Sequence, residues 1–81
     1  MDKTSESLKA ETEKWLERLK KEAAGAKAKD KKAAAQLRNM EAYISDCGHF
    51  QEKGDWIRAF EAVIYAWGIY ETLKHLGLVG E

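Results

Sequence analysis

Apolar residues recur every three or four positions along most of this chain, and no proline interrupts them. Proline removes a backbone donor and clashes with the preceding turn, so its absence lets helices run wherever that periodicity holds. The spacing predicts three helices, over about 5–24, 31–53 and 55–76. The first is expected to be capped by Thr4 or Ser5, whose hydroxyls can accept from unpaired N–H groups. Its apolar positions Leu8, Trp15, Leu16, Leu19 and Ala23 occupy an arc of about 100° at 100° per residue, the pattern of one buried stripe. The second helix, with Asp30 as cap, places Ala33, Leu37, Met40, Tyr43, Ile44, Cys47 and Phe50 within about 140°. Gly48 at the edge of that stripe would let two backbones approach. Gly54 followed by Asp55 is a stop and a start: glycine accepts the left-handed conformation that ends one helix, and aspartate caps the next. Gly77 should end the third helix in the same way. The predicted fold is an all-α three-helix bundle.

The connector, residues 25–32 (GAKAKDKK), has no large apolar side chain, so it is read as a solvated basic link that joins no core. The 81 residues suit one domain, 1–81, and a chain of this size has little core to spare. With one cysteine, Cys47, no internal disulfide can form, and helix packing, a metal or self-association must supply stability. Met1 to Leu8 lack a basic region followed by an apolar stretch, so no secretory leader is expected and the cytoplasm is the expected location. Charged residues make up 35% of the chain, too many for a bilayer span, and no membrane partner is expected.

The third helix differs from the other two. Trp56, Ile57, Ala59, Phe60, Val63, Ile64, Ala66, Trp67, Tyr70 and Leu73 cover about 200° of its circumference, and Tyr65 and Ile69 lie outside that arc. Two narrow stripes cannot hide so wide a surface, so this helix should lie centrally and keep an apolar strip uncovered. Tyr65, Ile69, Ala62 and Arg58 are the candidate interaction surface, for a second copy of the chain or a partner protein. That makes a protein–protein interaction or self-association module the leading functional expectation.

The alternative is an accessory nucleic-acid-binding domain. Formal net charge is zero, but residues 18–38 hold eight basic against two acidic residues, while 1–17 and 41–81 are net acidic. Lys20, Lys21, Lys27, Lys29, Lys31 and Lys32 could neutralise phosphates without reading sequence. No aromatic residue is interleaved for base stacking. A basic stretch lying against acidic neighbours explains the same asymmetry without a ligand.

The run from Ser45 to Leu78, SDCGHFQEKGDWIRAFEAVIYAWGIYETLKHLGL, resembles a family of short archaeal proteins, domain of unknown function 357. The likeness rests on Asp46 and Phe50 before the turn Gly54–Asp55, then Ala59–Phe60, Tyr65–Ala66 with Gly68, and Leu76–Gly77. It implies a compact all-helical fold of unassigned activity, and it carries no catalytic or ligand-binding role onto these positions. Gly-Asp-Trp with a following Ala-Phe is also similar to the hairpin of tetratricopeptide repeats, but there is no second copy, and solenoids need about three.

Candidate chemistry is sparse. Asp46, His49, Glu52 and Asp55 are spaced by three and could offer mixed oxygen and nitrogen ligands on one helix face. Asp55 is better explained as a cap, and His49 and His75 each lie near a helix C-terminus, where an imidazolium suits the dipole. Cys47 falls within the second stripe as a small apolar residue, and His49, two positions on, projects elsewhere and cannot serve as its base. Phosphate loops and serine elbows do not occur. The expectation is a protein that is not an enzyme and needs no cofactor or metal.

Overall fold

The computed structural model describes residues 2–80: α1 (Lys3–Ala23), β1 (Lys27–Ala28), α2 (Lys31–Glu52), α3 (Trp56–His75) and β2 (Val79–Gly80). It is the predicted all-α three-helix bundle, drawn out to 44 × 16 × 16 Å. Two of the three helix starts are as expected: Asp30 accepts from the N–H of Ala33 at 2.7 Å and Asp55 from that of Arg58 at 3.2 Å. The start of α1 is different. Asp2, rather than Thr4 or Ser5, caps it, its carboxylate accepting from the Ser5 N–H at 2.7 Å. A carboxylate three residues before an unpaired donor is the stronger acceptor, and its negative charge suits the helix N-terminus.

Helices α2 and α3 end alike. Gly54 and Gly77 take φ of 72° and 71°, and the next residue donates back across the last turn, Asp55 N–H to Phe50 C=O and Leu78 N–H to Leu73 C=O, both 2.9 Å. This six-to-one closure satisfies carbonyls that the helix end would leave unpaired. Gly48 gives the predicted packing role no support: a Cβ built there meets nothing within 4 Å.

The connector is not a free link. Lys27 and Ala28 pair antiparallel with Gly80 and Val79, and the Lys29 N–H donates to the Leu78 carbonyl at 2.9 Å. Ala26 and Val79 pack against the core beneath this ladder. Backbone pairing is indifferent to side-chain size, so a segment without large apolar residues can still be fastened.

As predicted, α3 is the central helix: it packs along both α1 and α2, which scarcely meet each other. One cluster holds Leu16, Cys47, Ala59, Ala62 and Val63, flanked by Trp15, Phe50, Trp56 and Trp67. A second, toward the ladder, holds Leu19, Met40, Ala66 and Tyr70. Polar tips of the aromatics are satisfied on α1, with Trp67 Nε1–H donating to the Trp15 carbonyl at 2.8 Å and Tyr70 O–H to that of Glu22 at 2.9 Å. Glu22 lies in the last turn of α1, where carbonyls lack helical partners, so Tyr70 acts as a cap from another helix. Thr12, fully buried, donates its hydroxyl back to the Leu8 carbonyl at 2.6 Å.

Candidate functional site

Two helices cover α3 from one side only, and its opposite side is open, with exposed apolar residues set among polar ones such as Glu61 and Thr72. Ile57, Ile64, Tyr65 and Leu76 are 64, 43, 63 and 62% exposed. Ile64, Tyr65 and Leu76, with Phe60, Gly68 and Ile69, line a groove of about 820 Å³ along the seam between α3 and the first turns of α2, where Lys32 and Gln36 form the other bank. Tyr65 is fixed at its edge by stacking on Tyr43 of α2, ring centroids 4.8 Å apart and planes 24° apart. Gly68 lies in the floor. A Cβ there would enter open space, so this glycine relieves no contact within the chain, although glycine inside a helix costs about 1 kcal/mol relative to alanine.

The predicted strip lies on α3 but is turned toward α2 relative to the residues that are exposed. Tyr65 is exposed and Arg58 is exposed, the latter with its guanidinium 3.5 Å from the Asp55 carboxylate. Ile69 is half-buried against the second cluster. Ala62 is a correction: it is buried in the first cluster, because alanine lets α2 pack close and is then covered. Ile57 and Ile64, counted in the sequence among the arc facing the core, are the residues that face out. The signal for them is present in the 57, 64, 68 spacing on one helix face, but periodicity gives the width of an apolar arc and not the direction from which neighbours arrive.

All six lysines of the basic segment are exposed, and the α1-to-α2 connection brings them to one end of the rod. They do not share one surface. Lys20 and Lys21 border a cleft beside Glu13 and Glu17 of α1, with Gln51 of α2 across it, and Lys21 pairs with Glu17 at 3.2 Å. Lys27 lies in the ladder, Lys29 beside it, and Lys32 on the bank of the apolar groove.

The chemistry-bearing residues are dispersed. Among the described residues no three His, Cys, Asp or Glu side chains come close enough to hold a metal ion. Asp55 caps α3, and His49 lies edge-on to Phe50 with ring centroids 6.1 Å apart. Burial opposes thiolate formation and pushes the Cys47 thiol above its ordinary pKa, an effect only partly offset by the charge of Lys20. Among the described residues no helix is long and apolar enough to cross a membrane.

A family model described as "Protein of unknown function (DUF357)" matches residues 9–79. The chain belongs to the DUF357 family. A solved structure carrying the same family model, protein AF1782 from Archaeoglobus fulgidus, is 41% identical, with a TM-score of 0.86 over 96% of this chain and 97% of that one. No curated protein matches. The DUF357 match reaches well beyond Ser45–Leu78, taking in the connector and most of α1. Several residues that carried the resemblance are accounted for by the fold: Gly54 and Gly77 close helices, Asp55 caps one, and Ala59 and Ala66 are buried. Tyr65, Gly68 and Leu76 of the DUF357 chain line the open groove.

Proposed function

We propose that this DUF357 chain is a docking module without catalytic activity of its own, and that the outer face of α3 seats a helix of another polypeptide. The observation that carries this reading is the exposure of Ile57, Ile64, Tyr65 and Leu76 along one side of α3, three of them around a single groove, in a chain whose remaining large apolar side chains are buried or half-buried among the described residues. Exposed apolar surface continuous over several turns is removed from water when a helix lies on it, which is the driving force of helix-in-groove recognition.

A second reading, an accessory nucleic-acid surface at the Lys20–Lys32 end, draws on the gathering of six exposed lysines at one end of the rod. Their division among three surfaces and the pairing of Lys21 count against it. Affinity capture from the native cell extract, with the wild-type chain and with Ile64→Lys as bait, tests both. Proteins retained by wild type and lost with Ile64→Lys support docking on α3, and a set of proteins indifferent to that change overturns it. Nucleic acid retained at low salt and lost when Lys20, Lys21, Lys27, Lys29, Lys31 and Lys32 become glutamine would favour the second reading.

A further inference from the structure

On the strength of that docking role for the outer face of α3, we infer that its occupant is a second copy of the same chain, its α3 antiparallel to the first across a two-fold axis. The groove carries one acid and one base, Glu61 and Lys32, and among the described residues neither is ion-paired within the chain. They lie toward opposite ends of the groove. Glu61 is in the second turn of α3, whereas Lys32, in the first turn of α2, lies beside the far end of α3 because the two helices form a hairpin. A two-fold axis perpendicular to α3, passing between Tyr65 and Gly68, turns this internal separation into complementarity. Glu61 of each copy comes beside Lys32 of the other, and the pairing forms twice.

The apolar residues obey the same axis. Ile57 comes level with the second copy's Leu76, Glu61 with its Thr72, Ile64 with its Ile69, and Tyr65 with its Gly68. The two side chains exposed at the ends are thereby matched with each other, over a shared length of roughly 28 Å at 1.5 Å per residue. Gly68 gains a reason that the single chain does not supply: it leaves room for the other copy's Tyr65, a ring already held in place by Tyr43. A foreign helix would have to bring a base and an acid at this same separation, which a second copy already carries. A groove with both signs, related by a rotation, on a chain of zero formal net charge, selects itself and brings no repulsion between copies.

Sedimentation velocity on the full chain, from low micromolar to millimolar at low salt, tests this with five variants whose folding is checked by circular dichroism. Wild type is expected to form a dimer, and Ile64→Lys to weaken it at least about tenfold while the helices remain. Glu61→Lys and Lys32→Glu are each expected to weaken it several-fold, and the double variant carrying both to recover it, since the swapped charges face each other again. Gly68→Leu is expected to leave the melting temperature, read where the chain is monomeric, unchanged or higher and still weaken the dimer, which a role in folding would not do. A monomer at every concentration overturns the second copy as occupant and leaves docking to the capture experiment. A dimer lost with Ile64→Lys but indifferent to the charge swaps keeps docking and overturns the antiparallel register. A dimer indifferent to Ile64→Lys forms through another face, overturns the second copy as occupant of this one and again leaves docking to the capture experiment.

Discussion

Over the first half of α3 the two sides carry the residues that a solitary bundle would place the other way round. There the inner side is built from Ala59, Ala62, Ala66 and one valine, Val63, all buried, with Tyr70 and Leu73 following in the second half, while two isoleucines, Ile57 and Ile64, are exposed on the outer side. Small residues on the inner side let α1 and α2 come close, and the bulk there is supplied by Leu16, Leu19, Met40, Tyr70 and the tryptophans that pack against them. Moving an isoleucine from the surface to the interior is favourable by about 1.5–3 kcal/mol. The outer side forgoes that gain in the single chain, and a second helix laid upon it would recover it.

The comparison breaks most readily at Val63, which has no exposed surface. Val63→Asp places a carboxylate among apolar neighbours, and a loss of at least about 4 kcal/mol, enough to unfold so small a domain, is expected in urea titrations. Ile57→Asp makes the same chemical change on the outer side, at the second residue of α3, where a negative charge suits the helix N-terminus. At concentrations where the chain is monomeric, its stability should stay within about 0.5 kcal/mol of wild type or rise slightly. Equal losses at the two positions would show that the outer side is covered within the single chain.

Tyr70→Phe sharpens the contrast on the inner side. It keeps the ring in the second cluster and removes the hydroxyl that caps the Glu22 carbonyl. A loss of about 1 kcal/mol is expected, with faster amide hydrogen exchange in the last turn of α1 and the ladder than elsewhere. Gly68→Ala on the outer side should act in the opposite direction. Since nothing in the chain lies near the added methyl, it should raise stability by about 0.5–1 kcal/mol through helix propensity alone, read from the thermal midpoint at concentrations where the chain is monomeric.

The inner side was largely legible in the sequence and the outer side only in outline, for a physical reason. Helix ends at Asp30, Gly54–Asp55 and Gly77 are decided by the chemistry of one or two residues, so they can be located from the chain alone. The width of the apolar arc on α3 likewise announces that it is central and incompletely covered. Which sector stays open depends on where α1 and α2 dock, and that is settled by long-range packing. Hence periodicity puts Ala62 outside and Ile64 inside, the reverse of what their surroundings dictate. The two-residue ladder left no signal because it is too short for periodicity and is held by backbone groups that every residue shares.

The smallest expected effect lies at the rim between the two sides, where α1 meets the end of α3. Lys74 Nζ sits 3.0 Å from the Glu22 carboxylate, and the hydrogen bond to Glu22, aided by its charge, holds the ammonium above its ordinary pKa of 10.5. A base whose pKa is raised by folding contributes stability that is fully present below its unfolded value and is lost as pH climbs through the folded one. The carboxylates of Asp2, hydrogen-bonded by the Ser5 backbone N–H, and Glu11, hydrogen-bonded by Lys14 and Trp15, are held below their ordinary values of 3.8 and 4.5. Their contributions run the other way, present above those values and lost as pH falls through the depressed ones. All three groups are open to solvent, so salt screens each effect. Glu22→Gln should therefore flatten only the alkaline limb of a plot of melting temperature against pH, above about pH 10, and Asp2→Asn only the acid limb. A large shift from Glu22→Gln near neutral pH, surviving high salt, would mean that the rim is a buried part of the inner side.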